Sequence, residues 1–256
     1  MIDPVILKIG SLEVRYYGVL FVIAFILGYY LVKKLAKEYG IEEKHIEDLS
    51  TYILIAIIIG ARLFEVLFYN PEYYFSQPLK IFYLWEGGLA SHGAIIGGII
   101  VVWIYSKRKK ISFYKIADLF IIPISLGAAF IRIGNFINSE LVGKITTTPW
   151  AVKFNNYDGL RHPVQIYQSF YYLIIFLILL KLRKNKKEGT LFWSFLLMEG
   201  IFRFLTEFFK DLPKNYGLNY LGLNLAQYIS IILIIIALPQ VYKRIKNFQG
   251  KSLSHS

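Results

Sequence analysis

Seven stretches of mostly apolar residues recur along the chain, near 16–32, 49–69, 88–105, 117–135, 164–182, 190–209 and 221–241. Each approaches the roughly 20 residues that a helix needs to cross a hydrocarbon core about 30 Å thick. Backbone in that core must satisfy its own hydrogen bonds, which leaves helices or a closed barrel, and runs of this length point to helices. The expectation is an all-α polytopic membrane protein with seven transmembrane helices. Composition agrees: 56% of the 256 residues are hydrophobic, 18% are charged, and the mean hydropathy is +0.49. No internal repeat, linker or low-complexity run interrupts the pattern, so residues 1–256 are expected to form a single integral-membrane domain.

Basic residues set the expected orientation, because Lys and Arg in short loops concentrate on the cytoplasmic side. Of 29 Lys and Arg residues, 18 lie in one alternating set of connections: Lys33 to Lys44, Lys107 to Lys115, Lys181 to Lys187 and Lys243 to Lys251. The other set holds 8, among them Lys80, Lys144, Lys210 and Lys214, and the remaining three are Arg62, Arg132 and Arg203 inside the spans. The N-terminus is therefore expected outside and the C-terminus in the cytoplasm. This topology accounts for most of the net charge of +12. Positive charge scattered over four helix ends, with no accompanying module, argues against a nucleic-acid partner.

The chain has no cysteine, which excludes a disulfide framework, a thiolate metal site and a thiol nucleophile of its own. Any thiol chemistry must use a thiol carried by a substrate. Residues 1–15 carry Asp3 and Glu13 and lack the pattern of a cleavable signal peptide, so the first helix is expected to remain as an anchor.

Three segments outside the spans have a character of their own. Residues 1–15 alternate weakly around Gly10 and Ser11, as in a short hairpin forming an outer-surface arm. Residues 70–87 combine many Tyr with Pro71, Pro78, Trp85 and Glu86, a composition suited to the outer membrane interface. Residues 144–161 contain TTTPW and NNYDG turn signals and are expected to form a small flap on the outer face.

Polar residues within the spans supply the functional signal. Tyr17 begins the first helix, His92 the third, and Gln165 and Tyr167 the fifth, while Asn135 ends the fourth and Arg203 and Glu207 lie late in the sixth. Odd-numbered helices descend from outside and even-numbered helices rise toward it. All these groups therefore fall in the outer half of the membrane, as in one polar cavity open to that side.

Arginine at a helix centre costs about 3 kcal/mol on insertion scales and calls for compensation. Arg62 has Glu65 one turn away, and Arg203 has Glu199 and Glu207 four residues to either side, so local ion pairs are expected for both. Arg132 has Ala128, Ala129, Asn135 and Phe136 at those offsets and no carboxylate on its helix face. That makes Arg132 the arginine best placed for a foreign anion, and its rigid fork of N–H groups suits a phosphodiester. It belongs to the run IRIGNFINSELVGK (131–144), where Asn135 and Asn138 add amide donors. In the same run Glu140 could orient an arginine or bind a polyol hydroxyl, and Gly143 permits close backbone approach. Asn138 and Glu140 equally suit a helix end or turn.

In GGLASHGAIIGG (87–98), small residues around His92 allow close helix packing or approach of a ligand. His92 is the only histidine expected within a span, and an imidazole exchanges protons near neutral pH. A hydrogen bond to a neighbouring helix is the simpler role for it. His162 reads as a loop or helix-start residue, and His45 and His255 lie on the solvent side.

GGLASHG, IRIGNFINSELVG, HPVQIYQ and EGIFRFLTEFF resemble, in order and spacing, the motifs of the bacterial prolipoprotein diacylglyceryl transferases. The resemblance covers nearly the whole chain. It implies a multi-pass enzyme of the cytoplasmic (inner) membrane, active at the outer leaflet. Such an enzyme moves the diacylglyceryl group of phosphatidylglycerol to the lipobox cysteine thiol of a preprolipoprotein, presented behind its signal peptide. No metal or other cofactor is implied. Carried over by position, Arg132 becomes the phosphatidylglycerol ligand, Arg203 a second essential cation and His92 the acid–base participant. Tyr17, Asn135, Glu140, Gly143 and Glu207 occupy other matching positions. Ile131, Ala94, Gln168 and Glu199 depart from the family pattern.

Two other classes of membrane protein fit these residues less well. A transporter or flippase for an anionic lipid would carry polar groups through both leaflets or broken helices at the midplane, and here the inner halves are apolar. A metal-dependent headgroup transferase or an intramembrane protease would need clustered aspartates or a serine nucleophile motif; Asp118 is isolated and the serines have no such setting.

Overall fold

The structure, a computed structural model, describes residues 3–10, 12–184, 187–212 and 220–252. Ser11, Lys186, Lys214 and His255, named above, lie outside the described residues. Among the described residues, five helical segments are long and apolar enough to cross a membrane: Tyr16–Tyr39, Glu43–Tyr69, Phe113–Ile137, Val164–Leu182 and Leu225–Lys246. The chain is thus a multi-pass, all-α membrane protein. The spans expected at 88–105 and 190–209 are also helical, over Ser91–Lys109 and Thr190–Glu207. They are more polar than the five, the first through His92 and its basic end, the second through Glu199, Arg203 and Glu207.

The chain divides into two compact units, Met1–Leu31 with Phe120–Ser256, and Val32–Leu119. Helices α1 (Tyr16–Ala36) and α5 (Phe113–Ile137) contribute to both. In the first unit, β1 (Val5–Ile9) and β2 (Leu12–Arg15) form an antiparallel hairpin that pairs Val5 with Arg15 and Lys8 with Glu13. Gly10 turns it at a φ of 60°, which glycine adopts without a Cβ penalty. Across its face Glu13 binds Arg15 at 2.7 Å and Lys8 at 3.1 Å, and these cations hold its carboxyl below the usual carboxylate range.

Helix α6 (Val164–Leu182), α7 (Thr190–Glu207) and α8 (Leu225–Ser252) complete the first unit. Ile122, Ile175, Leu179 and Leu191 are fully buried between helices, while Ile232, Ile235 and Leu238 of α8 are exposed. Apolar residues inside and outside alike are what lipid as solvent requires. Ser169 Oγ of α6 donates to the Ala129 carbonyl of α5 at 3.1 Å. Gly200 lets α7 approach α8: a Cβ there would stand 3.0 Å from the Ser230 carbonyl.

After α5 the chain leaves the helices and returns at α6. Residues 144–161 are tied by the bridges Ile145↔Arg161 and Val152↔Arg161, and Gly143↔Lys210 joins their root to the end of α7. Phe154, 1% exposed, seats this flap edge-on against Phe136 of α5, with ring centroids 5.6 Å apart. Arg161 fastens it: Nη1 donates to Asp211 Oδ2 at 2.5 Å and to the Gly143 carbonyl at 3.1 Å, and Nε donates to the Asp158 carbonyl at 2.9 Å.

In the second unit, α2 (Glu43–Phe64) continues through a π-helical turn at Glu65–Tyr69. The short α3 (Pro71–Ser76) and two 3-10 turns, Pro78–Phe82 and Leu84–Glu86, then lead to α4 (Ser91–Lys109). Helices α2 and α4 pack backbone to backbone. A Cβ on Gly93 would lie 2.1 Å from the Gly60 carbonyl, and one on Gly97 would lie 2.5 Å from the Ala56 carbonyl. Of the two uses open to the small residues after His92, these two glycines serve helix packing.

Arg62 departs from its expected partner. Its guanidinium, 4% exposed, donates to the carbonyls of Lys80, Ile81, Tyr83, Gly87 and Gly88 and to the Tyr74 hydroxyl. Glu65 instead accepts from Asn70 Nδ2 at 2.6 Å. One carboxylate cannot satisfy donors that fan over three sides of a buried fork, and the carbonyls of a folded-back loop can.

Candidate active site

The run around Arg132 builds its site from the last turn of α5. Arg132 and Asn135, three residues apart, share a face, and Arg132 Nη1 donates to Asn135 Oδ1 at 3.2 Å. Asn135 is 6% exposed, and its Nδ2 donates to Glu140 Oε2 at 2.8 Å. The other carboxylate oxygen of Glu140 accepts from Asn138 Nδ2 at 3.1 Å. Ser139 and Leu141, at φ of 56° and 55°, reverse the chain so that Glu140 folds back to the helix end, where its N–H donates to the Asn135 carbonyl at 2.9 Å. Gln165 Nε2 of α6 caps the same turn by donating to the Glu140 carbonyl. Glu140 therefore reaches Arg132 through an amide. Among the described residues no carboxylate lies within ion-pair distance of Arg132.

Tyr17, at the start of α1, lies against Gly134: a Cβ there would stand 2.7 Å from Tyr17 Cδ2. It feels the charges of both Glu140 and Arg132.

The end of α7 brings a second group of charges. Arg203 Nε lies 2.8 Å from Glu207 Oε1, an ion pair whose N–H is not aligned for a hydrogen bond. The Glu207 side chain is completely buried, with Lys210 Nζ at 3.4 Å and Asn224 Nδ2 at 3.3 Å. Burial pushes the Lys210 amine below its ordinary value, and the charges of Arg203 and Arg132 push it further, against the pull of Glu207. Glu199, one turn before Arg203, accepts from the Tyr172 hydroxyl at 3.0 Å. Both arginines act electrostatically on Tyr172 and Glu199, so the ends of α5 and α7 share one field.

Other expected site residues are engaged in building the frame. The Tyr167 hydroxyl accepts from Trp150 Nε1 of the flap at 2.6 Å and lies 3.1 Å from His162 Nδ1. Gly143 lets two strands of the flap root touch, since a Cβ there would be 2.4 Å from the His162 carbonyl. Gln168 is 2% exposed, and its Nε2 is buried with no hydrogen-bond partner. In the second unit, His92 is exposed at the start of α4, with Nδ1 2.8 Å from the hydroxyl of Tyr69, the last residue of the π turn. π turns of this kind recur at functional sites.

The family model for prolipoprotein diacylglyceryl transferase matches residues 4–242. The chain belongs to this family. A phosphatidylglycerol–prolipoprotein diacylglyceryl transferase of Tolumonas auensis is 39% identical over 238 residues, covering 91% of this chain and 92% of the relative. The protein of the same name from Geobacter sulfurreducens is 37% identical over 242 residues, 93% of each chain. That of Chloroherpeton thalassium is 37% identical over 258 residues, 98% of this chain and 96% of the relative.

Within this diacylglyceryl transferase fold, several residues of the polar clusters escaped the sequence. Lys210 counted only as a basic loop residue, although its position three after Glu207 was a usable signal. Tyr69 closes a π turn, which has no sequence signature. Tyr172 of α6 meets Glu199, and Asn224, just before α8, meets Glu207; one sequence does not announce such pairings.

Proposed function

We propose that this enzyme is a phosphatidylglycerol:prolipoprotein diacylglyceryl transferase acting in bacterial lipoprotein maturation. The observation that carries the reading is Arg132: a guanidinium beside a buried amide, with no carboxylate in ion-pair range among the described residues. Its fork has N–H groups free of any carboxylate for a bidentate contact with a phosphodiester. Its sharing of a field with Arg203 supports a site that stabilises phosphate charge. Asn138, Tyr17 and Gln165 line or brace the turn that carries the amide, while Tyr167 and Gly143 hold the flap. The full assignment is one catalytic domain of seven transmembrane helices in the inner membrane, with the N-terminus outside and the site in the outer leaflet. Its second substrate is a preprolipoprotein, recognised through its signal peptide and lipobox.

The reaction has two needs. A free cysteine thiol, with a pKa near about 8.5, is only a few per cent thiolate at neutral pH, so a proton must be removed. His92 takes it, with Tyr69 fixing the ring by its contact with Nδ1. The thiolate sulfur then attacks the glyceryl carbon bonded to the phosphate oxygen. A C–S bond forms, the C–O bond breaks, and the electron pair leaves on glycerol phosphate. Arg132 and Arg203 stabilise the charge that collects on the departing phosphate. Glu207 and Asn135 hold the two arginines in place.

Liposomes containing phosphatidylglycerol labelled in the diacylglyceryl moiety, given a lipobox peptide, test the reading. The expected product is a labelled thioether on the cysteine with an equal amount of glycerol phosphate. Lipid movement across the bilayer without thioether would show a transporter instead.

A further inference from the structure

Arg62 belongs to none of the proposed catalytic groups, yet it makes more hydrogen bonds than any other described side chain. Its three nitrogens reach the carbonyls of Lys80, Ile81, Tyr83, Gly87 and Gly88 at 2.5 to 3.1 Å, and the Tyr74 hydroxyl at 3.0 Å. These acceptors span the loop that leaves α2 and returns to α4. Gly88 is shaped for the contact: at a φ of 72°, a Cβ would lie 2.9 Å from Arg62 Nη1 and 2.5 Å from the Tyr74 hydroxyl. The preceding residue of α2, Ala61, accepts from the N–H of Ala90 at 3.1 Å, two residues before His92. On the other side, the π turn that ends at Tyr69 begins three residues after Arg62. Both partners of the Tyr69–His92 contact thus hang from the segment that Arg62 gathers.

The geometry points to Arg62 as the positioning residue for the Tyr69–His92 pair. It folds residues 80–88 onto the end of α2, and so sets where α4 begins and where the His92 ring meets the Tyr69 hydroxyl. Neutral acceptors suit this task. A carboxylate would hold one edge of the guanidinium, whereas five carbonyls, from the first 3-10 turn, from Tyr83 between the two turns and from a glycine pair, fix the loop along its length. Lysine, with one compact ammonium, cannot reach acceptors on three sides, so charge alone does not replace it. The link to turnover rests on the proposed role of His92; the hold on the loop does not.

The test uses the full chain in phosphatidylglycerol liposomes with a lipobox peptide. Arg62→Gln and Arg62→Lys are expected to lower kcat roughly 10- to 100-fold, with the KM for lipid within about twofold. Amide exchange of residues 80–91 should speed up in both variants while that of α6 and α7 stays unchanged. Tyr74→Phe, which removes one acceptor, should give a smaller loss in the same direction. The double variant Arg62→Gln with His92→Gln should be no slower than His92→Gln alone. Unchanged exchange over 80–91, faster exchange with wild-type kcat, or additive losses in the double variant would each overturn the proposal. Wild-type turnover by His92→Gln would remove the histidine from the reaction and, with it, the catalytic consequence of Arg62. The exchange data would then decide the hold on the loop separately.

Discussion

Asn135 donates its amide Nδ2 to Glu140 Oε2 at 2.8 Å, which turns the amide oxygen toward Arg132, 3.2 Å from Nη1. The carboxylate thereby orients the arginine without neutralising it. A direct ion pair would hold Arg132 as firmly but would occupy the edge of the fork that the proposed phosphate needs.

Asn135→Asp tests this arrangement. The new carboxylate would face Glu140 and pair with Arg132, so it should reduce diacylglyceryl transfer further than Asn135→Ala, which only removes the amide. Losses of roughly 100-fold and 10-fold are expected. An aspartate variant as active as the alanine variant would show that the neutrality of residue 135 is immaterial.

Gly143→Ala should destabilise the flap root by about 1–3 kcal/mol, the range for overpacking. The added methyl would meet the His162 carbonyl at 2.4 Å, and backbone cannot rotate out of the way as a side chain can. Thermal unfolding in detergent measures it; an unchanged midpoint would contradict the close approach.

Arg161→Gln should release the flap, with a local cost of about 1–3 kcal/mol from the lost bonds to Asp211 and the Gly143 carbonyl. Limited proteolysis should then cut within 144–161 while α6 stays protected. Equal resistance of variant and wild type would remove Arg161 as the fastener.

Much of this was legible in the sequence. The helices followed from apolar runs, and the Arg203–Glu207 pair followed from four-residue spacing. Arg132 stood out because its own helix face carried no carboxylate. Arg62 was misread because its true partners are carbonyls 18 to 26 residues away, and every residue has a carbonyl. The glycines around His92 were ambiguous for a related reason: only the fold shows that Gly88 makes room for a guanidinium while Gly93 and Gly97 make room for a helix. Glu140 was placed beside an arginine, but the left-handed residues Ser139 and Leu141, neither glycine nor asparagine, gave no warning of the reversal that puts amides around it.

The depressed Lys210 amine sets a pH dependence. Its folded value lies below the ordinary value of 10.5, so between the two the unfolded chain holds more protons and stability rises with pH. Below the folded value, the cost of the buried ammonium is present in full. Lys210→Met should therefore gain stability over wild type at neutral pH, and the gain should shrink as pH climbs toward 10.5. Paired unfolding curves from neutral to alkaline pH measure this; a constant difference would contradict it.

The grip of Arg132 on the lipid phosphate is the central claim. The most direct measurement is the rate of thioether formation by Arg132→Gln in phosphatidylglycerol liposomes, with membrane insertion checked in the same preparation. The account predicts normal insertion and a loss of at least about 100-fold, the scale for removing a donor to developing charge. Insertion with near-normal turnover would take Arg132 out of the mechanism.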